Sequence, residues 1–160
     1  EEVLGLGPTG IGLLVAVDAI GALVAAFVLI ERAGPRGFAL VYSLGALVFI
    51  LGTLGFGFAT SVPLAVLALF VAGVGMAGFN AMQISLPIAA TPEAMRVRVM
   101  GIVTVAIGAG PFGFLYAGLL GEWLGPTLAL RVIAAQGLLA LALVFWRWPE
   151  LLRREAPRPS

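Results

Sequence analysis

The chain has no cysteine and no histidine, and all nine of its basic residues are arginine. Without cysteine there is no disulfide and no thiolate nucleophile; without histidine there is no imidazole base and no His-based metal site. Charge of either sign is scarce, at 11% of residues against about 25% in a soluble domain. The eight acids are scattered along the chain, whereas metal-assisted chemistry wants carboxylates in a group. No cofactor, no metal and no enzymatic activity are therefore expected. The basic groups are too sparse and too dispersed for nucleic-acid binding. With 61% hydrophobic residues, too little polar surface remains to keep such a fold in water. Lipid must be its solvent.

What the chain does have is long apolar runs. A hydrocarbon core of about 30 Å takes about 20 helical residues at about 1.5 Å each. Ile11–Ile30, Phe38–Ala59, Leu64–Ala90, Val99–Leu120 and Leu128–Trp146 meet that length. The expected fold is all-α, a bundle of five membrane-spanning helices over residues 1–148, followed by a Pro- and Arg-rich tail at 149–160. The third span is overlong and contains Pro87, so a bend or early end of its last turn is expected. Pro35, Pro63, Pro92 and Pro126 punctuate short connectors, so consecutive spans should be antiparallel neighbours.

The arginines are distributed unevenly across these connectors. Arg32 and Arg36 share one gap, Arg96 and Arg98 another, and Arg147, Arg153, Arg154 and Arg158 lie at the C-terminal end. The intervening gaps and the N-terminus carry Glu1, Glu2 and Glu122 but no arginine. The positive-inside rule then puts the N-terminus outside and the C-terminus in the cytosol, and a plasma (inner) membrane is the expected location. Trp123, Trp146 and Trp148 all fall at expected membrane–water boundaries, where an indole finds both an apolar and a polar neighbour. Glu1–Gly10 is not a signal peptide, and a start at Glu reads as a fragment or a processed product.

Small residues recur at helical spacing. Ala109, Gly113, Ala117 and Gly121 follow one another every fourth position in the fourth span, and Gly45 and Gly52 stand seven apart in the second. Such stripes normally mark helix–helix contact. Polar residues inside spans are few. Asp18 is the one acid well inside a span, with Gly21, Ala22 and Ala25 on its face. A carboxylate there costs about 3 kcal/mol on insertion scales, so it must face protein or water. It reads either as a proton, cation or substrate site or as a structural hydrogen-bonder. Asn80 and Gln83, one turn apart and followed by Pro87, read as a cavity lining or as interhelical glue. Arg131, one turn inside the last span, is expected to snorkel toward the headgroups or Glu122.

Two connectors carry motifs. Glu31-Arg32-Ala33-Gly34-Pro35-Arg36 joins the first two spans, and Thr91-Pro92-Glu93-Ala94-Met95-Arg96-Val97-Arg98-Val99-Met100-Gly101 joins the third and fourth. The first resembles the acidic–basic–x–Gly–x–basic signature of the major facilitator superfamily. The second, with Asn80 and Gln83 before it, resembles that family's Asn…Gln…Pro…Arg-x-Arg-x-x-Gly run. The texture is similar to the enterobactin-exporter-like branch, the transmembrane secretion effectors. Phe27 departs from the pattern, standing where the family has Gly four residues before the acid. Gly108-Ala109-Gly110-Pro111-Phe112-Gly113 matches the antiporter Gly-Pro motif only in part.

The resemblance covers residues 3–150 and implies that the five spans correspond to helices eight to twelve of a twelve-helix transporter. A seventh helix and an N-terminal half would then be missing partners. It implies export of a small, drug- or siderophore-like molecule by alternating access, with proton coupling as the family expectation. On that reading Asp18, Asn80 and Gln83 face the cavity, and Glu31, Arg32, Arg36, Arg96 and Arg98 form a cytosolic gate. The alternative is a membrane scaffold or assembly subunit, with the small-residue stripes as docking faces.

Overall fold

The computed structural model describes residues 7–32 and 37–149, all of them in helices or short connectors. In order, α1 is Pro8–Arg32, α2 Phe38–Gly57, α3 Val62–Ala90, α4 Arg96–Gly108, α5 Gly110–Leu124 and α6 Pro126–Arg147. A 3-10 turn at Glu93–Met95 leads into α4. Taken with α4 and α5 as one crossing, five helices are long and apolar enough to cross a bilayer. Ala33, Gly34, Pro35 and Arg36 of the first connector motif and the tail from Glu150 onward lie outside the described residues.

Proline and glycine set the helix ends. Pro63 and Pro126 occupy the first turns of α3 and α6, where a missing N–H costs nothing. Thr91 is extended (φ −112°, ψ 130°), as a residue before proline prefers, and α3 stops there. Gly125 adopts φ 79° between α5 and α6, the left-handed region open to glycine, and reverses the chain in one residue. Pro87 does not end α3 early; the helix runs on to Ala90. Proline removes one backbone bond, and the continuous apolar helix on both sides outweighs that loss.

The fourth span is not the single helix expected over Val99–Leu120. It breaks at Ala109, between α4 and α5. Pro111 cannot donate to the carbonyl one turn back, and its ring crowds the same carbonyl. The chain tightens instead: the Ala109 N–H reaches the Val105 and Ala106 carbonyls at 3.1 and 3.3 Å, and Phe112 N–H reaches Ala109 O at 3.1 Å.

α3 is the centre of the bundle, with α1 and α2 packed on it, α6 on α2, and α5 on α6. The two inner seams are built from glycine. A methyl group on Gly73 would run into the Asp18 carbonyl of α1, and one on Gly21 into the Phe70 carbonyl of α3. Between α2 and α3, a methyl on Gly45 would lie 2.6 Å from Phe79 N, and one on Gly52 2.5 Å from Ala72 N. Backbones thus touch directly, which maximises dispersion contact where no hydrophobic force drives helices together. Most of the buried side chains are correspondingly small, among them Ala46, Ala65, Ala68 and Ala72, with Leu14 and Met82 the larger ones. α4 and α5 contain no buried residue.

Candidate functional site

The glycine seam between α1 and α3 fixes where Asp18 sits. Its carbonyl lies against Gly73, and its side chain is half-exposed with no hydrogen bond to any described residue. Asn80 is exposed and Gln83 half-exposed on α3, again without a hydrogen bond among the described residues. Asn80 shares the face of Gly73, seven residues further on, which is about 10 Å along the axis. The three polar groups therefore lie on adjoining helices at two levels. The structure does not bring them into contact with one another.

The residues expected at a cytosolic gate are seen in part. Arg36 lies outside the described residues, and the side chains of Glu31 and Arg32 are likewise not described. Arg96 is exposed, and its Nε donates to the Thr91 carbonyl at 3.2 Å, stitching the start of α4 to the end of α3. Arg98 and Glu93 are exposed, and no ion pair joins them or Arg96 among the described residues. The two glycines of the Ala109, Gly113, Ala117 and Gly121 stripe make no close approach among the described residues. A methyl on Gly113 or Gly121 would meet nothing within 4 Å. The intimate contacts fall instead at Gly21, Gly45, Gly52, Gly73 and Gly75. Spacing marks a small face; which helix arrives to fill it is a tertiary matter.

Three features escape the sequence reading. Arg131 pairs within the bundle, with groups at the end of α2. Its Nε donates to the Gly57 carbonyl at 2.7 Å and its guanidinium lies 4.1 Å from the Phe58 ring centroid. A cation at the last carbonyls of α2 is favoured by the helix dipole, and a charged donor makes a strong bond there. Tyr116 on α5 and Gln136 on α6 are hydrogen-bonded to each other and exposed. Both lie about equally far from Gly125, nine residues before it and eleven after, which is the one signal that could have paired them. Third, α1, α2 and α3 enclose a groove of about 330 Å³ walled by Val24, Val28, Val41, Leu44 and Val48 over Gly75. Its lining is hydrocarbon, and none of the polar candidates reaches it.

The described polar residues thus form half-exposed patches on apolar helices, with no nucleophile–base pair among them. They can donate and accept hydrogen bonds. The family model described as Major Facilitator Superfamily matches residues 1–160. No match was found among curated proteins or among solved structures.

Proposed function

The chain belongs to the major facilitator superfamily, a family of membrane transporters, and on that premise we propose that it serves the export of a small drug- or siderophore-like molecule across the plasma (inner) membrane. The branch we favour is the enterobactin-exporter-like one, on the texture of its connector motifs. The arginine-bearing connectors face the cytosol in this reading, as the positive-inside rule favours. Transport proceeds by alternating access, with helical halves rocking about a site near the midplane and helices beyond these five closing the cavity.

The observation that carries the reading is the state of Asp18, Asn80 and Gln83. Asn80 is exposed and Asp18 and Gln83 are half-buried on largely apolar helices, and none has a hydrogen-bond partner among the described residues. Lipid cannot satisfy such groups, so they face water or a ligand. Asn80 and Gln83 supply donors and acceptors to the cargo, and Asp18 takes up and releases the coupling proton. Glu31, Arg32, Arg36, Arg96 and Arg98 close the cytosolic end. Exposed pairs contribute only about 0–1 kcal/mol each, so the gate works through several together and opens readily.

The scaffold reading keeps one observation in its favour. A methyl on Gly113 or Gly121 would meet nothing within 4 Å among the described residues, which leaves room for a docking helix. Flux separates the two. In proteoliposomes holding the whole transporter, Asp18→Asn should abolish the dependence of dye efflux on the pH gradient. Asn80→Ala should lower flux without lowering the amount of inserted protein. pH-dependent efflux that survives Asp18→Asn would remove the proton role, and parallel loss of protein and flux in Asn80→Ala would favour the scaffold.

A further inference from the structure

A positive charge stands between two apolar helices with only part of its donors in use. Arg131 is half-buried, about 7.5 Å along α6 from Pro126, at the end of the bundle opposite the Arg96 connector. A guanidinium has five N–H donors. The Nε donor is taken by the Gly57 carbonyl at 2.7 Å. The other four, on the two Nη atoms, have no acceptor among the described residues. No buried side-chain nitrogen or oxygen among those residues lacks a partner, so the Nη atoms are open to the surroundings rather than sealed in the seam.

The charge is not neutralised either. Glu122 stands nine positions earlier and is exposed, and no ion pair joins it to Arg131 among the described residues. The two groups that do engage Arg131, a carbonyl and the Phe58 ring, are both neutral. They do, however, fix the guanidinium plane. Gly57 holds its Nε side, and Phe58 covers one face with its centroid 4.1 Å away. The edge left free is the end-on one, where the two Nη groups present parallel N–H bonds. That fork matches two oxygens of one oxyanion. Because the side chain is already held, little of its freedom is left to lose on binding. At the level where hydrocarbon gives way to headgroups, the abundant oxyanion is phosphate.

We propose that Arg131, pinned by Gly57 and Phe58, is a binding site for a phosphate group, taken end-on by its two Nη atoms at the α2–α6 seam. The phosphate comes either from a lipid headgroup or from a free anion in the adjoining water, and reaches Arg131 without crossing the membrane core. The site does not depend on the transporter reading, since it needs only this seam and a bilayer boundary.

The test is equilibrium binding to the purified protein in a neutral maltoside detergent, which brings no phosphate of its own, at constant ionic strength in chloride. A Phe58→Trp variant, in a Trp123→Phe, Trp146→Phe, Trp148→Phe background, keeps a ring under the guanidinium and makes it fluorescent. Dihexanoyl phosphatidylglycerol and inorganic phosphate are titrated separately, with dihexanoylglycerol and trimethyl phosphate as their uncharged counterparts. The charged probes should change the fluorescence at position 58 saturably and the uncharged ones should not. Saturation by the lipid alone assigns the site to headgroups; saturation by inorganic phosphate at equal or lower concentration assigns it to a free anion. Arg131→Lys, which keeps the charge and loses the fork, should weaken binding at least about tenfold, and Arg131→Gln should abolish it. The unmodified chain supplies a second readout: the bound probe should raise its melting temperature, and its uncharged counterpart should not. No saturable response to either charged probe, an equal response to the uncharged ones, or unchanged affinity in both Arg131 variants would overturn the proposal.

Discussion

Substituting alanine for glycine should have opposite effects at Gly75 and Gly113, because only one of them lies in a seam. At Gly75 a methyl would run into the Phe49 backbone nitrogen, and it would lie 2.7 Å from the Gly45 carbonyl oxygen and 2.8 Å from Phe49 Cα. Ordinary contact for a Cβ begins at 3.4 Å. The obstructing atoms are backbone, so α2 must move away from α3 as a body rather than swing a side chain aside. Overpacking of this kind costs about 1–3 kcal/mol, and the rigidity of the obstacle puts Gly75→Ala near the upper end. Alanine's better helix propensity returns about 1 kcal/mol, leaving a net loss of about 2 kcal/mol. Gly113→Ala meets nothing within 4 Å, so only the propensity gain of about 1 kcal/mol remains. The two variants should differ by about 3 kcal/mol in unfolding from mixed micelles, followed by helical circular dichroism. Equal stabilities, or a Gly113→Ala less stable than Gly75→Ala, would refute the assignment of the α2–α3 seam.

Arg131→Ala removes a charged hydrogen bond to the last carbonyl of α2 and the contact with Phe58. It should destabilise by about 1.5–3 kcal/mol in the same assay, with Arg131→Lys intermediate; a neutral Arg131→Ala would show that the bond is not formed. The orientation can be read by single-cysteine labelling, since the chain has no native cysteine. Ser61 and Ala94 are both exposed, on connectors at opposite ends of α3. An impermeant thiol reagent applied outside should modify Ser61→Cys and spare Ala94→Cys, and the reverse pattern would invert the topology.

The sequence announces the membrane class because apolar runs of about 20 residues have no other economical use, and five such helices are what the structure contains. The break at Ala109 was also legible in principle. Gly108-Ala109-Gly110-Pro111 is the one place in the fourth span where the backbone loses both a donor and its side-chain restraint. Other features were not legible, for a common reason. Gly45 and Gly113 both sit in small-residue stripes, yet Gly45 touches another backbone and Gly113 touches none. A stripe states which face is narrow and leaves the partner unstated. Arg131 and Gly57 are 74 positions apart and Tyr116 and Gln136 are 20 apart, so no local period links them; each depends on how two helices are juxtaposed. Of the polar set, the sequence identified Asp18, Asn80 and Gln83 by their cost in lipid, but not that they lie at two levels of the bundle.

The transporter account turns on Asn80 being in water, and from each side of the membrane in turn. In a transport-active preparation, Asn80→Cys should react with impermeant thiol reagents applied outside or inside. Prior reaction from one side should block the other, whereas Leu67→Cys on the lipid-facing part of α3 should react from neither. Those results are what alternating access around this helix predicts. A thiol at position 80 that is silent from both sides, like that at position 67, would contradict it and leave Asn80 as glue between helices.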